Sequence, residues 1–308
     1  MNDKKKEPLF HIVKRDALPW YQSVGIRAIA IVLALIVCAV VTMILTGTNP
    51  IQVFQSIIAG AFGSARKTWI TFQNIAILLL ISLALTPAFK MKFWNIGGEG
   101  QVLIGGLASA ACMICLAEKL PAALVVVCMI VTSIAAGAFW AFIPAFFKAK
   151  WNTNETLSTL MMNYIATQLV AFFTIVWEVP KGSGKIGIIN QNSNVGWLPQ
   201  AFGSKYLLSI LVAVLITVFM YIYLKYSKHG YEISVVGESE NTAKYVGIKV
   251  EKVIMRTMAL SGAVCGLVGL LLVGGINHTI TTTIAGGQGF TAVMVSWMSK
   301  FNPLTMVF

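Results

Sequence analysis

The sequence predicts an all-α polytopic membrane protein of about eight transmembrane helices, and three observations carry that prediction. Several apolar runs exceed the roughly 18 residues that read as bilayer spans. Hydrophobic residues make up 57% of the chain and charged residues only 11%, where a soluble domain carries about 25% charged residues. With a mean hydropathy of +0.79, the chain is too apolar for water to be its main solvent. The basic residues behind the formal charge of +12 lie in short segments between the apolar runs and not on one amphipathic face. They read as topology signals, which argues against nucleic acid as a partner.

In chain order, the expected spans lie near Ala28–Leu45, Trp69–Pro87, Val102–Leu116, Ala122–Phe147, Leu157–Trp177, Leu207–Leu224, Thr257–Ile276 and Phe290–Phe308. One set of connecting segments carries the group from Lys4 to Arg27, Lys90 and Lys92, Lys148 and Lys150, and the group from Lys225 to Arg256. The other set carries only Arg66, Lys67, Lys119, Lys181, Lys185 and Lys205. That excess predicts a cytoplasmic N-terminus. Residues 1–27 are then a cytoplasmic segment, retained because no small-residue cleavage site accompanies the first apolar run. Residues 28–308 form one transmembrane domain, within which 225–256 is a charged cytoplasmic segment long enough for a short surface helix. The loop from Pro180 to Lys205, rich in Gly, Ser and Asn, is expected to hold turns and interfacial aromatics. An apolar run is still open at Phe308, so truncation of the C-terminal part is expected.

Chemistry concentrates where apolar runs are interrupted. Phe93-Trp94-Asn95-Ile96-Gly97-Gly98-Glu99-Gly100-Gln101 places three glycines, two amides and a carboxylate between two spans, a composition that disfavours continuous helix. Irregular backbone inside a membrane must be satisfied by protein or by a water-filled cavity, which would set Asn95, Glu99 and Gln101 beside a solute pathway. The alternative is a turn at the membrane edge, with Glu99 favouring the start of the next helix. Gly286-Gly287-Gln288-Gly289-Phe290 repeats the pattern before another apolar run, and counting spans puts it on the opposite membrane side, as an inverted repeat would. Glu155, Thr159, Asn163 and Thr167 stack on one helical face, either lining a pore or bonding to neighbouring helices. Gly262 and Gly266 allow close helix approach, more within the chain than across a dimer seam.

Catalytic sets fail on inspection. Gly182-Ser183-Gly184-Lys185 looks phosphate-binding, but a P-loop needs glycine where Val179 stands and Ser or Thr where Ile186 stands. His11, His229 and His278 are widely separated, and Cys112 and Cys115 lack a second pair, so neither a catalytic nor a metal site is expected.

The segment Phe93–Gln101 closely resembles the Asn-Ile-Gly-x-Glu-Gly-Gln pattern of permeases in bacterial ABC importers for nucleosides and simple sugars, a group related to branched-chain amino-acid permeases. Four further pieces resemble the same family in order and spacing: Asn154–Ile165, Gly237–Ile248 with the following Ala259–Ala263, Gly287–Phe290, and Asn302-Pro303-Leu304. The resemblance implies a permease that forms the translocation pathway, not an enzyme, with Phe93, Trp94, Asn95, Gly97, Gly98, Glu99, Gln101, Asn163, Gln288 and Phe290 at the pathway or its gate. It implies coupling to ATPase subunits through Gly237, Glu238, Asn241, Ala243, Lys244 and Gly247; an amide, Asn241, stands where the family carries an acid, and Thr242 replaces an alanine. The two glycines would turn the coupling helix out of and back into the membrane.

The implied partners are a second permease subunit, cytoplasmic ATPase subunits holding ATP and magnesium, an extracytoplasmic substrate-binding lipoprotein and membrane lipid, in a bacterial cytoplasmic membrane. No cofactor is expected on this chain itself. An ion-coupled secondary transporter is the alternative class, though Glu99 and Glu155 are the only acids near span starts.

Overall fold

The computed structural model describes residues 19–307; the basic residues Lys4 to Arg15 of the expected cytoplasmic segment, and His11, lie outside the described residues. Two compact units divide the chain, residues 1–67 and 68–308. In the first, helix α1 (Trp20–Thr46) ends at Gly47, whose left-handed backbone returns its N–H to the Met43 carbonyl. Helix α2 (Pro50–Phe62), not anticipated from the sequence, starts where the Asn49 side chain accepts the Ile51 N–H and proline takes the first helical position.

The second unit holds α3 (Ala65–Lys90, nearly all of it here), α4 (Gly98–Leu116), α5 (Ala122–Trp151), α6 (Glu155–Val176), α7 (Leu207–Tyr226), α8 (Lys228–Glu238), α9 (Glu240–Tyr245), α10 (Val250–Leu270) and α11 (Gln288–Met298). A π-helical segment, Leu271–Asn277, extends α10. Among the described residues no strand forms, and seven helices are long and apolar enough to cross a membrane. The protein is an all-α multi-pass membrane protein.

Close packing of small residues builds the centre of this unit. A Cβ on Gly137 of α5 would lie 2.2 Å from the Gly262 carbonyl oxygen of α10, and one on Gly105 of α4 would lie 2.4 Å from the Gly266 Cα. Helix α10 therefore sits between α4 and α5 at backbone contact, the intrachain use of Gly262 and Gly266. Buried Ala76, Leu80, Ile81 and Leu85 of α3 pack with Val264 and Val268 of α10 in one apolar cluster.

The expected eighth span is corrected. Phe290–Phe308 is not one long helix: α11 has 11 residues, and Lys300 and Phe301 then take positive φ ahead of Asn302-Pro303, backbone that no helix continues through. Before α11, residues 278–287 are irregular. At one end of this stretch the His278 carbonyl accepts the Ile189 N–H at 2.8 Å, and the His278 ring stacks on Trp197 with centroids 3.8 Å apart. At the other end α11 runs to α3, where Ser296 donates to the Ser82 carbonyl at 2.9 Å and Trp297 packs on Phe89. The stretch from 278 to 301 thus runs from the end of the unit formed by loop 186–198 to the end formed by Lys90, irregular in its first half and helical in its second.

Candidate functional site

Helix α3 closes at Lys90, residues 91–97 are irregular, and α4 opens at Gly98. Gly98 packs on Ile81 and Leu85 of α3, about two turns short of Lys90 or about 10 Å at a 1.5 Å rise. The interruption therefore enters the unit from the Lys90 end and stops well inside it. Its backbone is satisfied by side chains from two other helices. Asn163 of α6 accepts the Gly100 N–H at 2.8 Å and donates to the Ile96 carbonyl at 2.9 Å. Thr159, one turn earlier, accepts the Ile96 N–H at 3.2 Å. Asn95, fully buried, accepts from Gly97 N–H at 3.0 Å and from Gln101 at 3.2 Å while donating to Ser261 of α10 at 3.1 Å.

On the polar α6 face, Thr159 and Asn163 bond to the irregular segment between α3 and α4. Thr167 merely bonds to the Asn163 carbonyl at 3.0 Å, and Glu155 pairs with Lys148 of α5 at 2.9 Å. Glycine is required where Asn163 comes closest: a Cβ on Gly100 would meet its Oδ1 at 2.8 Å.

Glu99 lies in the first turn of α4, and its two carboxylate oxygens accept the N–H groups of Gly287 at 2.9 Å and Gly289 at 2.8 Å. The two glycine segments, which span counting puts on opposite sides of the membrane, are thus in direct contact. The count fails because it takes Phe290–Phe308 for the crossing and leaves Gly286–Gly289 in the loop before it, whereas the chain is already well inside the unit at Gly287. From the shared carboxylate α4 leads to Met113, whose carbonyl accepts from Asn190 of the loop at 2.8 Å, while α11 leads to Phe89 and Trp94. Helices α4 and α11 start head to head and run in opposite directions, and one side chain caps the exposed N–H groups of α11.

Around this junction Phe93 is buried while Trp94 and Phe290 are 43% and 45% exposed. Trp94 and Trp297 lie 5.0 Å apart, with Phe89 and Phe301 stacked behind them. The side-chain oxygens of Gln101 and Gln288 are buried and have no hydrogen-bond partner among the described residues. Gly97 and Gly98 are buried in the turn. The sequence reading missed Ser261, Phe89 and Trp297; Ser261 stands in the Ala259–Ala263 piece already singled out, whereas nothing local marks the two aromatics.

The charged segment forms two short helices where one was expected. Ser227 caps α8 by accepting the Gly230 N–H, and Ser239 caps α9 by accepting the Thr242 N–H. Gly237 corrects the expected turn: its φ is not positive, and a Cβ there would stand 2.1 Å from the Lys90 carbonyl oxygen. It is glycine so that α8 can rest on the end of α3. Gly247, with φ +81°, does make a left-handed turn. Ala243 is buried, with Val236, Ile233, Met91 and Phe93 in the same apolar cluster, while Glu238, Asn241 and Lys244 are exposed. Glu232 of α8 meets Arg256 of α10 at 2.9 Å, and that guanidinium holds its carboxyl below the usual range. A cleft of about 230 Å³ separates Gly237–Glu240 from Lys92, Phe93 and the Lys148–Glu155 pair. The phosphate-binding look of Gly182–Lys185 resolves into an internal anion site, since the Glu178 carboxylate takes the N–H groups of Gly182 and Gly184 at 2.8 and 2.9 Å.

A family model described as branched-chain amino acid transport system / permease component matches residues 68–308, the whole of the second unit. The chain belongs to this permease family. Similar members include the guanosine ABC transporter permease protein NupP of Bacillus subtilis, 32% identical over 272 residues, covering 87% of this chain and 77% of that one. The nucleoside ABC transporter permease protein NupB of Lactococcus lactis is 26% identical over 93% of this chain and 81% of its own. The glucose ABC transporter permease protein of Haloferax volcanii is 26% identical over 93% and 77%. No solved structure matches. Permeases of this family are transport subunits.

Proposed function

We propose that the chain is the pathway-forming permease of a nucleoside importer, working as a pair with a second permease, driven by ATPase subunits that hold ATP and magnesium on the cytoplasmic side and supplied by an external binding lipoprotein. Nucleosides are preferred over sugars because two of the three relatives above carry nucleoside or guanosine in their names. In this reading the end bearing Lys90, Lys148, Lys225 and Arg256 faces the cytoplasm, with the N-terminus on that side.

The observation that supports coupling best is the seating of Gly237 on the Lys90 carbonyl. A partner that moves α8 and α9 through Glu238, Asn241 and Lys244 pushes on the end of α3, and residues 91–97 tie that end to Glu99 within a few residues. Breaking the carboxylate bonds to Gly287 and Gly289 would part α4 from α11 and open the junction. Trp94 and Phe290 offer faces for a flat base, and opening the junction would uncover the buried, unpartnered oxygens of Gln101 and Gln288 as acceptors for sugar hydroxyls.

The test is uptake into vesicles carrying the reconstituted complex, with a panel of nucleosides, pentoses, hexoses and amino acids, with and without ATP inside. Guanosine and other nucleosides should accumulate only with ATP. Accumulation that ignores ATP removes the importer reading, and a pentose or hexose outrunning every nucleoside removes the substrate class.

A further inference from the structure

Beside the candidate pathway, three lysines converge at the Lys90 end of the second unit with no acid paired to them among the described residues. Lys90, Lys225 and Lys300 line a pocket of about 390 Å³ together with Tyr221, Asn302 and Pro303. None of the three ion pairs among the described residues involves these lysines, and no acidic residue lines the pocket. The neighbouring clefts are different: Lys148 and Lys244 share theirs with Glu240 and Glu251, and Lys249 and Lys252 share theirs with Glu251. Lys225 is aimed by its bond to the Tyr221 hydroxyl at 2.9 Å and by the rings of Tyr221 and Tyr226. Lys300 is held in place by positive φ at itself and at Phe301, whose ring stacks on Phe89, a strained arrangement of the kind found at binding sites.

Helix ends account for part of this charge and not all of it. Lys90 and Lys225 sit in the last turns of α3 and α7, and Lys300 follows the last turn of α11. Each helix end supplies about half a negative charge, so three ends offset about half of the three ammonium groups. The remainder calls for an anion. Leading from the pocket along α7, Ile222, Val218, Leu215 and Leu211 form an exposed apolar stripe on the face of Lys225.

We propose that this pocket holds the phosphodiester headgroup of an anionic phospholipid, with an acyl chain laid along the α7 stripe. Phosphate alone would satisfy the lysines but would leave the stripe unused, which favours the lipid as the source. The assignment does not depend on which solute the permease carries.

Native mass spectrometry of the full chain, purified with its partners, tests it with dioleoylphosphatidylglycerol against dioleoylphosphatidylcholine. The wild type should retain the glycerol lipid preferentially. Lys225→Gln and Lys300→Gln should each weaken that retention about five-fold, the equivalent of about 1 kcal/mol per lysine near an anionic headgroup. Lys225→Arg and Lys300→Arg should keep it, and Lys150→Gln, an exposed lysine outside the pocket, should leave it unchanged. Equal loss in Lys150→Gln would show diffuse surface charge and overturn the site. Complete displacement of the lipid by millimolar inorganic phosphate would make it a free-anion site instead. If the glutamine variants do not assemble, the wild-type lipid ratio decides, and no preference for phosphatidylglycerol ends the proposal.

Discussion

At the scale of single residues, Asn163 and Glu99 each do what the backbone around them cannot. Asn163→Leu would strand the Gly100 N–H and the Ile96 carbonyl inside the protein, at about 1–3 kcal/mol for each unpaired group. The expected result is a thermal unfolding midpoint lowered by several degrees, read on the purified complex. Glu99→Gln keeps the shape but turns one acceptor into a donor facing an N–H. Transport should fall at least about ten-fold, the equivalent of about 1.4 kcal/mol, while the amount of inserted protein stays the same; normal uptake would remove Glu99 from the working site. The residues of this network were legible as types, since the glycine-amide-carboxylate run 93–101 is conspicuous between apolar spans. Their partners were not. Glu99 and Gly287 stand 188 positions apart, and hydropathy carries no information about pairing at that distance.

At the scale of elements, the most telling position is the seat of α8 on α3. Gly237→Val places a branched side chain where a Cβ alone would already meet the Lys90 carbonyl at 2.1 Å. ATPase stimulation by solute should be lost with the complex still assembled. Gly247→Ala, at φ +81° but with open space around it, should cost about 1–2 kcal/mol and spare coupling. The Glu232–Arg256 bridge ties α8 to α10 and gives the same seat a pH dependence. Because the folded-state carboxyl titrates below its unfolded value, the bridge stabilises fully above about pH 4.3 and the stabilisation is lost as pH falls through the lower folded pKa. Unfolding curves of wild type and Glu232→Gln should therefore differ near neutrality and converge in acid; a constant gap would exclude the bridge as the cause. Long spans were readable because length and apolarity are local properties. Helices α2 and α11 were not, since at 13 and 11 residues they fall below the length at which a run declares itself a crossing.

At the scale of the whole molecule, the glycine contacts of Gly105, Gly137, Gly262 and Gly266 make α4, α5 and α10 one block, while α11 is tied to α4 through the Glu99 carboxylate. Gly137→Val should abolish stable insertion, measured as monodisperse protein recovered in detergent, because the Gly262 carbonyl cannot move away without breaking the contact with α4. The family match over residues 68–308 covers this block completely; apolar runs predicted its spans, and short motifs predicted its family. What motifs could not convey was sidedness within a span that is only half helical.

The meeting of two helix starts on one carboxylate has an electrical consequence. Each start presents about half a positive charge, and Glu99 contributes one negative charge, so the junction carries no net charge at all. If the proposed pathway passes this junction, an uncharged solute meets neither a trap nor a barrier there. A phosphorylated one finds no counter-charge to replace its lost water, so a nucleoside should pass where its own monophosphate is refused.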